Sequence, residues 1–386
     1  MLKIEKKMVD WFKNNYLIIG FVTVTILAYL VRYYTLDFES NDYISCLAPW
    51  FDYLKSNGGM LALKDYPGDY NAPYMTIMAL LTYIPYNKLY LIKGLSIVFD
   101  FCLALSSAYL VDYLVKNNKK VYFLFTYAIM LFLPEVLMNS SLWGQCDSMY
   151  ATFVVLSLLF LLKEKYSYSF IMLGVAFSLK LQFIFILPMY IILYFAKRKF
   201  SILNFLYIPA VNLVLSLPAI IMGRPIGKIL SVYFDQVEAY SESLSWNFLN
   251  IYELIGINAT IMCKYGIIVA IIICLMMLIY TIYNEVKFDN EKILNLGLWF
   301  IIVTTFLLPR MHDRYLYVGS VLALINYIVY RKNLLLLISV NVCSIITYSQ
   351  YLFNTSIEFR PIIVIAYIVV IASYTKDTLR ELVKTN

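Results

Sequence analysis

Apolar runs long enough to cross a membrane recur along this chain from Tyr16 to Tyr374, most of them broken only by short polar joints. That pattern leaves few folds open. Lipid offers no hydrogen-bond partners, so a spanning segment must satisfy its own backbone, as a helix does. The alternating ten-residue strands of an outer-membrane barrel do not occur in the sequence. Charged residues make up only 14% of the 386 and hydrophobic ones 62%, whereas soluble domains carry about a quarter charged residues. The chain reads as an all-α integral membrane protein, one multi-span domain over residues 1–386. Tyr16–Tyr34 lacks a small-residue cleavage site after it and reads as a retained first span.

Cytoplasmic joints collect Lys and Arg. Basic joints occur at Lys3–Lys13, Lys116–Lys120, Lys163–Lys165, Lys197–Lys199, Glu285–Lys292, Arg331–Lys332 and in the tail after Tyr374. Together they explain the net charge of +7 without a nucleic-acid partner. Placing all of them inside fixes the parity of every stretch between them. Leu89–Val115 then serves as one span, with Pro73–Pro85 lying in the outer interface. Ser167–Phe195 must cross twice, because one helix of that length would run about 44 Å against a hydrocarbon core of about 30 Å. Two short helices meeting near Lys180 fit that stretch. Further spans fall near 121–138, 148–162, 200–222, 259–284, 292–308, 315–330, 333–349 and 359–375. The expectation is about twelve spans, both termini cytoplasmic, and no internal repeat.

The same parity puts the polar clusters on the external face: a structured first loop over 35–72, Trp143–Asp147, the Lys180 region, a second loop over 223–258, and Pro309–Tyr315. Each has a plain reading and a chemical one. Asp37, Glu39 and Asp42 follow the first span either as a solvated turn or as a general base over an acceptor hydroxyl. The loop aromatics, including Trp50, Tyr66, Tyr70 and Tyr74, suit an interfacial belt or stacking on sugar faces. Asp147 and Ser148 can cap a helix, which leaves Gln145 beside Trp143 unexplained. Lys180 and Gln182 interrupt apolar sequence, and charges in such places face a wet cavity or the bundle interior. Asp100 and Lys93, two turns apart, read as internal pairing.

His312, the only His, lies between Arg310 and Arg314. Two Arg on the external side run against the positive-inside trend, so an anion is expected there, either Asp313 or a phosphate, whose oxygens Arg matches bidentately. The second loop adds Asp235, Glu238, Glu242, Trp246, Asn247 and Asn250. Of the six Cys, Cys46 and Cys146 could approach each other outside, but with no CxxC spacing all read as free thiols.

The combination resembles the GT-C superfamily of polyprenyl-phosphate-sugar-dependent glycosyltransferases. LDFES (Leu36–Ser40), GDYNAPYM (Gly68–Met75) and LKLQF (Leu179–Phe183) resemble elements of the dolichyl-phosphate-glucose-dependent enzymes. LWGQCDS, SWNFLNIYELIG and MHDRYLY look closer to bacterial proteins related to the GPI-anchor second-mannose transferase, with Asp313 where Glu is more common. The resemblance implies a GT-C-like helical bundle and transfer of a hexose, mannose or glucose, to a glycan or lipid-linked acceptor on the external face. It implies one in-line displacement with inversion, Asp37 as base and Glu39 assisting. Lys180, Arg310, His312 and Arg314 would then hold the donor phosphate. Asp42, Tyr70, Asn71, Trp143, Gln145, Asp147, Gln182, Asn247, Asp313 and Tyr315 would contact substrate. No metal is assumed, although Asp37 with Glu39 leaves a divalent ion open. The rival classes are a surface-polysaccharide polymerase, which would carry Arg-rich motifs in two large loops, and a lipid-linked sugar flippase or other transporter. A transporter should show mid-membrane charges and repeated halves.

Overall fold

A computed structural model of the chain describes residues 2–239, 243–255 and 259–384. It is almost entirely helical. Helix α1 (Lys3–Tyr33) lies at the periphery with only Ala28 and Arg32 buried. Two short helices follow, α2 (Ala48–Ser56) and α3 (Ala72–Leu81), then the long α4 (Lys88–Leu114) and α5 (Lys119–Phe132). Leu133 breaks α5 before α6 (Pro134–Leu137), which runs on into a π-helical turn over Met138–Trp143. The axis bends there by 54°, because Pro134 has no N–H for the preceding turn and its ring crowds that turn's carbonyl.

Three short helices come next: α7 (Asp147–Leu162), α8 (Tyr166–Leu179) and α9 (Leu187–Lys197). Then α10 (Tyr207–Leu215) and α11 (Leu217–Ile221) lead to the amphipathic α12 (Ile226–Ala239). The final five are α13 (Ala259–Tyr283), α14 (Asn290–Leu307), α15 (Tyr317–Tyr330), α16 (Leu334–Phe353) and α17 (Arg360–Val383). Every residue of α14 from Lys292 to Phe306 is buried, so this helix runs through the core.

The chain is a membrane-embedded helical protein. Among the described residues five helices are long and apolar enough to cross a membrane: α1, α4, α13, α16 and α17, with the bent α5–α6 as a sixth. The twelve full-length spans expected from the charge pattern are therefore not what forms. The expected span over 200–222 breaks at Ser216 before Pro218, and α7, α8, α10 and α15 are each under 18 residues. Lys180 adopts an extended conformation (φ −152°, ψ 142°) between α8 and a 3-10 turn, so the stretch 167–196 is two short helices, as its length required.

Several of the basic joints lie together: residues 197–198 adjoin 285–288, and the 331–332 joint meets the start of α14 and the end of α17. Lys332 Nζ reaches Glu291 at 2.5 Å and Glu381 at 2.7 Å, while Lys292 Nζ donates to the carbonyl of Lys384 at 2.8 Å. The polar loops 35–71, 143–147, 243–255 and 309–316 meet at the helix ends reached by the alternate turns of the chain, where the candidate site forms.

Candidate functional site

The site begins with the way the chain leaves α1. Lys93, fully buried on α4, donates to the carbonyls of Leu36 at 2.9 Å and Phe38 at 2.5 Å. This corrects the expected Lys93–Asp100 pairing, because Asp100 instead takes Arg32 at 2.8 Å. Wrapped around the ammonium, residues 35–39 turn back. Ser40 Oγ then donates to the Trp143 carbonyl at 2.7 Å and accepts the Tyr43 N–H at 3.1 Å. The next acid, Asp42, is thereby aimed inward. Its carboxylate accepts from Trp143 Nε1 (2.8 Å), Gln145 Nε2 (2.6 Å) and the Tyr351 hydroxyl.

The corner that supplies two of those donors depends on Gly144, whose φ of +78° is one that side-chain-bearing residues rarely adopt. Gln145 is fixed from its other end by Tyr70, whose hydroxyl donates to Oε1 at 2.7 Å. Asp147 opens α7, yet its carboxylate does not cap that helix. It accepts from Lys180 Nζ at 2.6 Å and from Asn139 Nδ2 at 2.7 Å. Lys180 thus has a buried counter-ion and also sits 5.5 Å from the Tyr70 ring.

Arg314 stands at the centre. Its guanidinium is 3.6 Å from Asp42, 3.8 Å from Asp147 and 3.6 Å from Asp313, with its carbon 4.9 Å from the Trp143 ring. Those distances bring charge neutralisation without close hydrogen bonds. Nε and Nη1 are buried and make no hydrogen bond among the described residues. The loop carrying it is braced by a short parallel pair, β1 (Ser245–Trp246) with β2 (Met311–His312), and Trp246 stacks on His312 with centroids 5.8 Å apart.

Around these groups lies a cleft of about 270 Å³, lined by Asp42, Asp69, Asp313 and Arg314 and walled by Trp50, Tyr70, Trp143, Trp246 and Tyr351. A neck of about 50 Å³ beside Lys180, Gln182, His312 and Arg314 adjoins it. Through Gln182, Gln236 and Tyr315 the neck adjoins a mostly apolar hollow of about 200 Å³ against Cys263 and Ile267 of α13. Polar pocket, cationic neck and apolar hollow form one series.

Charge states follow from the setting. Burial pushes Asp42 toward its neutral form, but Arg314, the Tyr351 and Trp143 hydrogen bonds and Lys180 outweigh burial and hold its pKa below the ordinary carboxylate value. Burial, with repulsion from Arg314 and Lys180 exceeding the pull of Asp42, drives His312 down to about 3, so it is a neutral imidazole. Burial raises Asp313 to about 7 despite Arg314.

The expected residues therefore divide. Asp42, Tyr70, Trp143, Gln145, Asp147, Lys180, Asn247, His312, Asp313 and Arg314 are brought together. Gln182 and Tyr315 line the neck, and Arg310 lines the apolar hollow. Asn71 is buried as the cap of α3 and bonds Asn212 at 2.9 Å, a structural task. Asp37 and Glu39 are exposed and line none of these cavities, and Asp37 accepts from the Tyr90 hydroxyl. No group of three metal-ligating side chains occurs among the described residues. Glu242 lies outside those residues. The six Cys are free. Tyr351, Glu253 and Arg360 were not anticipated. Tyr351 lies near the end of the largely apolar α16, three residues after Tyr348.

Compared with known proteins, the sequence matches no family model, and no curated protein is significantly similar to it.

Proposed function

We propose that the protein is a GT-C-type membrane glycosyltransferase that moves a hexose, mannose or glucose, from a polyprenyl-phosphate sugar to a glycan or lipid-linked acceptor. One observation carries the reading. Arg314 keeps two buried donors without hydrogen bonds at the junction of an aromatic, acid-bearing pocket and a cationic neck that adjoins an apolar hollow. A sugar suits the first, a phosphate the second and an isoprenoid the third. An external site is the reading that the positive-inside rule favours, because the cleft-lining loops carry few of the Lys and Arg residues that collect in the basic joints.

In this reading the acid is Asp42 rather than Asp37. An ionised carboxylate is needed to take the acceptor proton, and Asp42 is both ionised and in the cleft. The acceptor oxygen bonds to the anomeric carbon as the bond from that carbon to the phosphate oxygen breaks, and the hydroxyl proton passes to Asp42. The departing phosphate gathers charge beside Arg314 and Lys180, two cations that need no reorganisation to meet it. His312, neutral, can donate a hydrogen bond without competing for the anion.

The test is release of polyprenyl phosphate from purified polyprenyl-phosphate mannose and glucose, with native protein, Asp42→Asn and Asp37→Asn. Native protein should turn over, and losing the base should cost about 100-fold or more. Full activity in Asp42→Asn removes the base assignment. No consumption of either donor by native protein removes the transferase reading and favours a polymerase.

A further inference from the structure

Arg360 is placed against two trends at once. It opens α17, where the helix dipole disfavours a cation, and it sits at the cleft end of the bundle, away from the basic joints. Its partners account for it. Nε and Nη2 meet the two oxygens of Glu253 at 3.0 and 2.5 Å, a bidentate pair, and Nη1 donates to Asn247 Oδ1 at 2.8 Å and to Gln350. Asn247, with a left-handed φ of +57°, donates in turn to the Thr347 carbonyl at 2.9 Å. Glu253 belongs to a 3-10 turn whose first N–H groups are capped by Asn250.

These contacts fix the strap Ser243–Ile255 at its C-terminal half. Its N-terminal half is part of the site. The Leu244 carbonyl accepts the Arg310 N–H at 2.8 Å and the Trp246 carbonyl accepts the Asp313 N–H at 3.1 Å. The register Ser245 to Met311 and Trp246 to His312 means that a shift of the strap moves the backbone bearing Arg314. It also moves the Trp246 and Asn247 wall of the cleft.

We infer that Arg360 and Glu253 are positioning residues which, through Asn247 and the β1–β2 pair, set the acceptor wall and the Arg314 loop. Neither group lines the cleft, so their effect is indirect. The activity readout rests on the transferase reading, whereas the wall position can be measured without it. The wall is followed by acrylamide quenching of Trp246, taken as the difference between each protein and its Trp246→Phe counterpart. Transfer kinetics and thermal unfolding are measured on the same samples.

Arg360→Ala and Glu253→Ala should each raise Trp246 quenching and raise the acceptor KM roughly tenfold, with a smaller change in kcat. The double variant should be no worse than the worse single one, because both break the same bond. Arg360→Lys, which keeps the charge and loses the fork, should fall between native and Arg360→Ala. Unchanged quenching with a lowered unfolding temperature would make the pair a structural brace and overturn the inference. So would additive losses in the double variant. If native protein transfers no sugar but quenching responds as stated, the positioning role stands and the function proposed above does not.

Discussion

Two arginines of this bundle, the buried Arg32 and the half-buried Arg314, are used in opposite ways. Arg32, fully inside, donates Nε to Asp100 at 2.8 Å, Nη2 to the Leu131 carbonyl at 2.9 Å and Nη1 to the Ala28 carbonyl at 3.2 Å. Asp100 in turn accepts from Ser140 at 2.5 Å. Neither residue lines the cleft, the neck or the apolar hollow. Arg314 has three carboxylates around it, each at 3.6–3.8 Å, two nitrogens without hydrogen bonds, and open space on one side. The first is a closed structural knot. The second is arranged for something to arrive, because strong charge-assisted bonds need a shorter approach than any protein acid makes there. Buried charge alone therefore does not mark function, and incomplete coordination beside a cavity is the better sign.

The comparison breaks most sharply if Arg32 is removed. Arg32→Ala leaves Asp100 buried without its cation, an arrangement that costs about 3–5 kcal/mol, and the unfolding temperature in detergent should drop steeply. Replacing the pair together, Arg32→Met with Asp100→Leu, should recover most of the loss, since a buried ion pair and a packed apolar pair are often near equal. Failure of that recovery would mean that the knot also does something beyond holding α1 to α4. The next largest effect belongs to Arg314→Gln. Stability should change little, while donor turnover falls by about 10²–10³, the range for losing one preorganised donor to a developing anion. A variant that unfolds as readily as Arg32→Ala would place Arg314 in the structural class and dissolve the contrast.

How far the sequence reached can be read off the same residues. Arg310, His312 and Arg314 were marked by positive charge where a membrane chain avoids it, and Lys180 by breaking an apolar run. Both signals are physical and local. Trp143, Gln145 and Asp147 stood out because a helix cap explained only one of the three. Of the first acids, Asp42 lines the cleft and Asp37 and Glu39 do not. Adjacent carboxylates after a span look alike in sequence, and what separates Asp37 from Asp42 is the buried Lys93 ammonium turning the backbone between them. That contact joins residues 57 apart and has no local trace. Tyr351, Glu253 and Arg360 were invisible for a similar reason, since each acts through a partner far along the chain. The count of spans failed where charge parity required a crossing but Ser216 and Pro218 divided the helix that would have made it.

A smaller effect should appear with pH. Asp313 is neutral up to about 7, because burial outweighs the pull of Arg314. Its folded pKa is raised above the ordinary aspartate value, so the stabilisation of the neutral acid is complete below about pH 4 and disappears as pH rises through about 7. Above that, a new carboxylate competes with the donor phosphate for Arg314. Turnover should fall about tenfold per unit on the alkaline side, and Asp313→Asn should flatten that limb. His312 titrates far lower, so it cannot produce the same limb. An alkaline limb that persists in Asp313→Asn assigns the loss to another group.

The smallest effect, and the one that sharpens the contrast furthest, is expected at Asp37 and Glu39. Both are exposed. The turn they occupy is held by main-chain carbonyls on Lys93, not by their carboxylates. The bond from Tyr90 to Asp37 lies on the outside of α4 and survives in a neutral amide, which still offers an acceptor oxygen. Asp37→Asn and Glu39→Gln should therefore leave turnover within about twofold of native, as surface changes generally do. Lys93→Met, by contrast, removes what turns the chain toward Asp42 and should depress turnover with both acids intact. Were Asp37→Asn to lose activity while Lys93→Met kept it, the reacting carboxylate would be the exposed one, and the cleft around Arg314 would have to serve a different ligand.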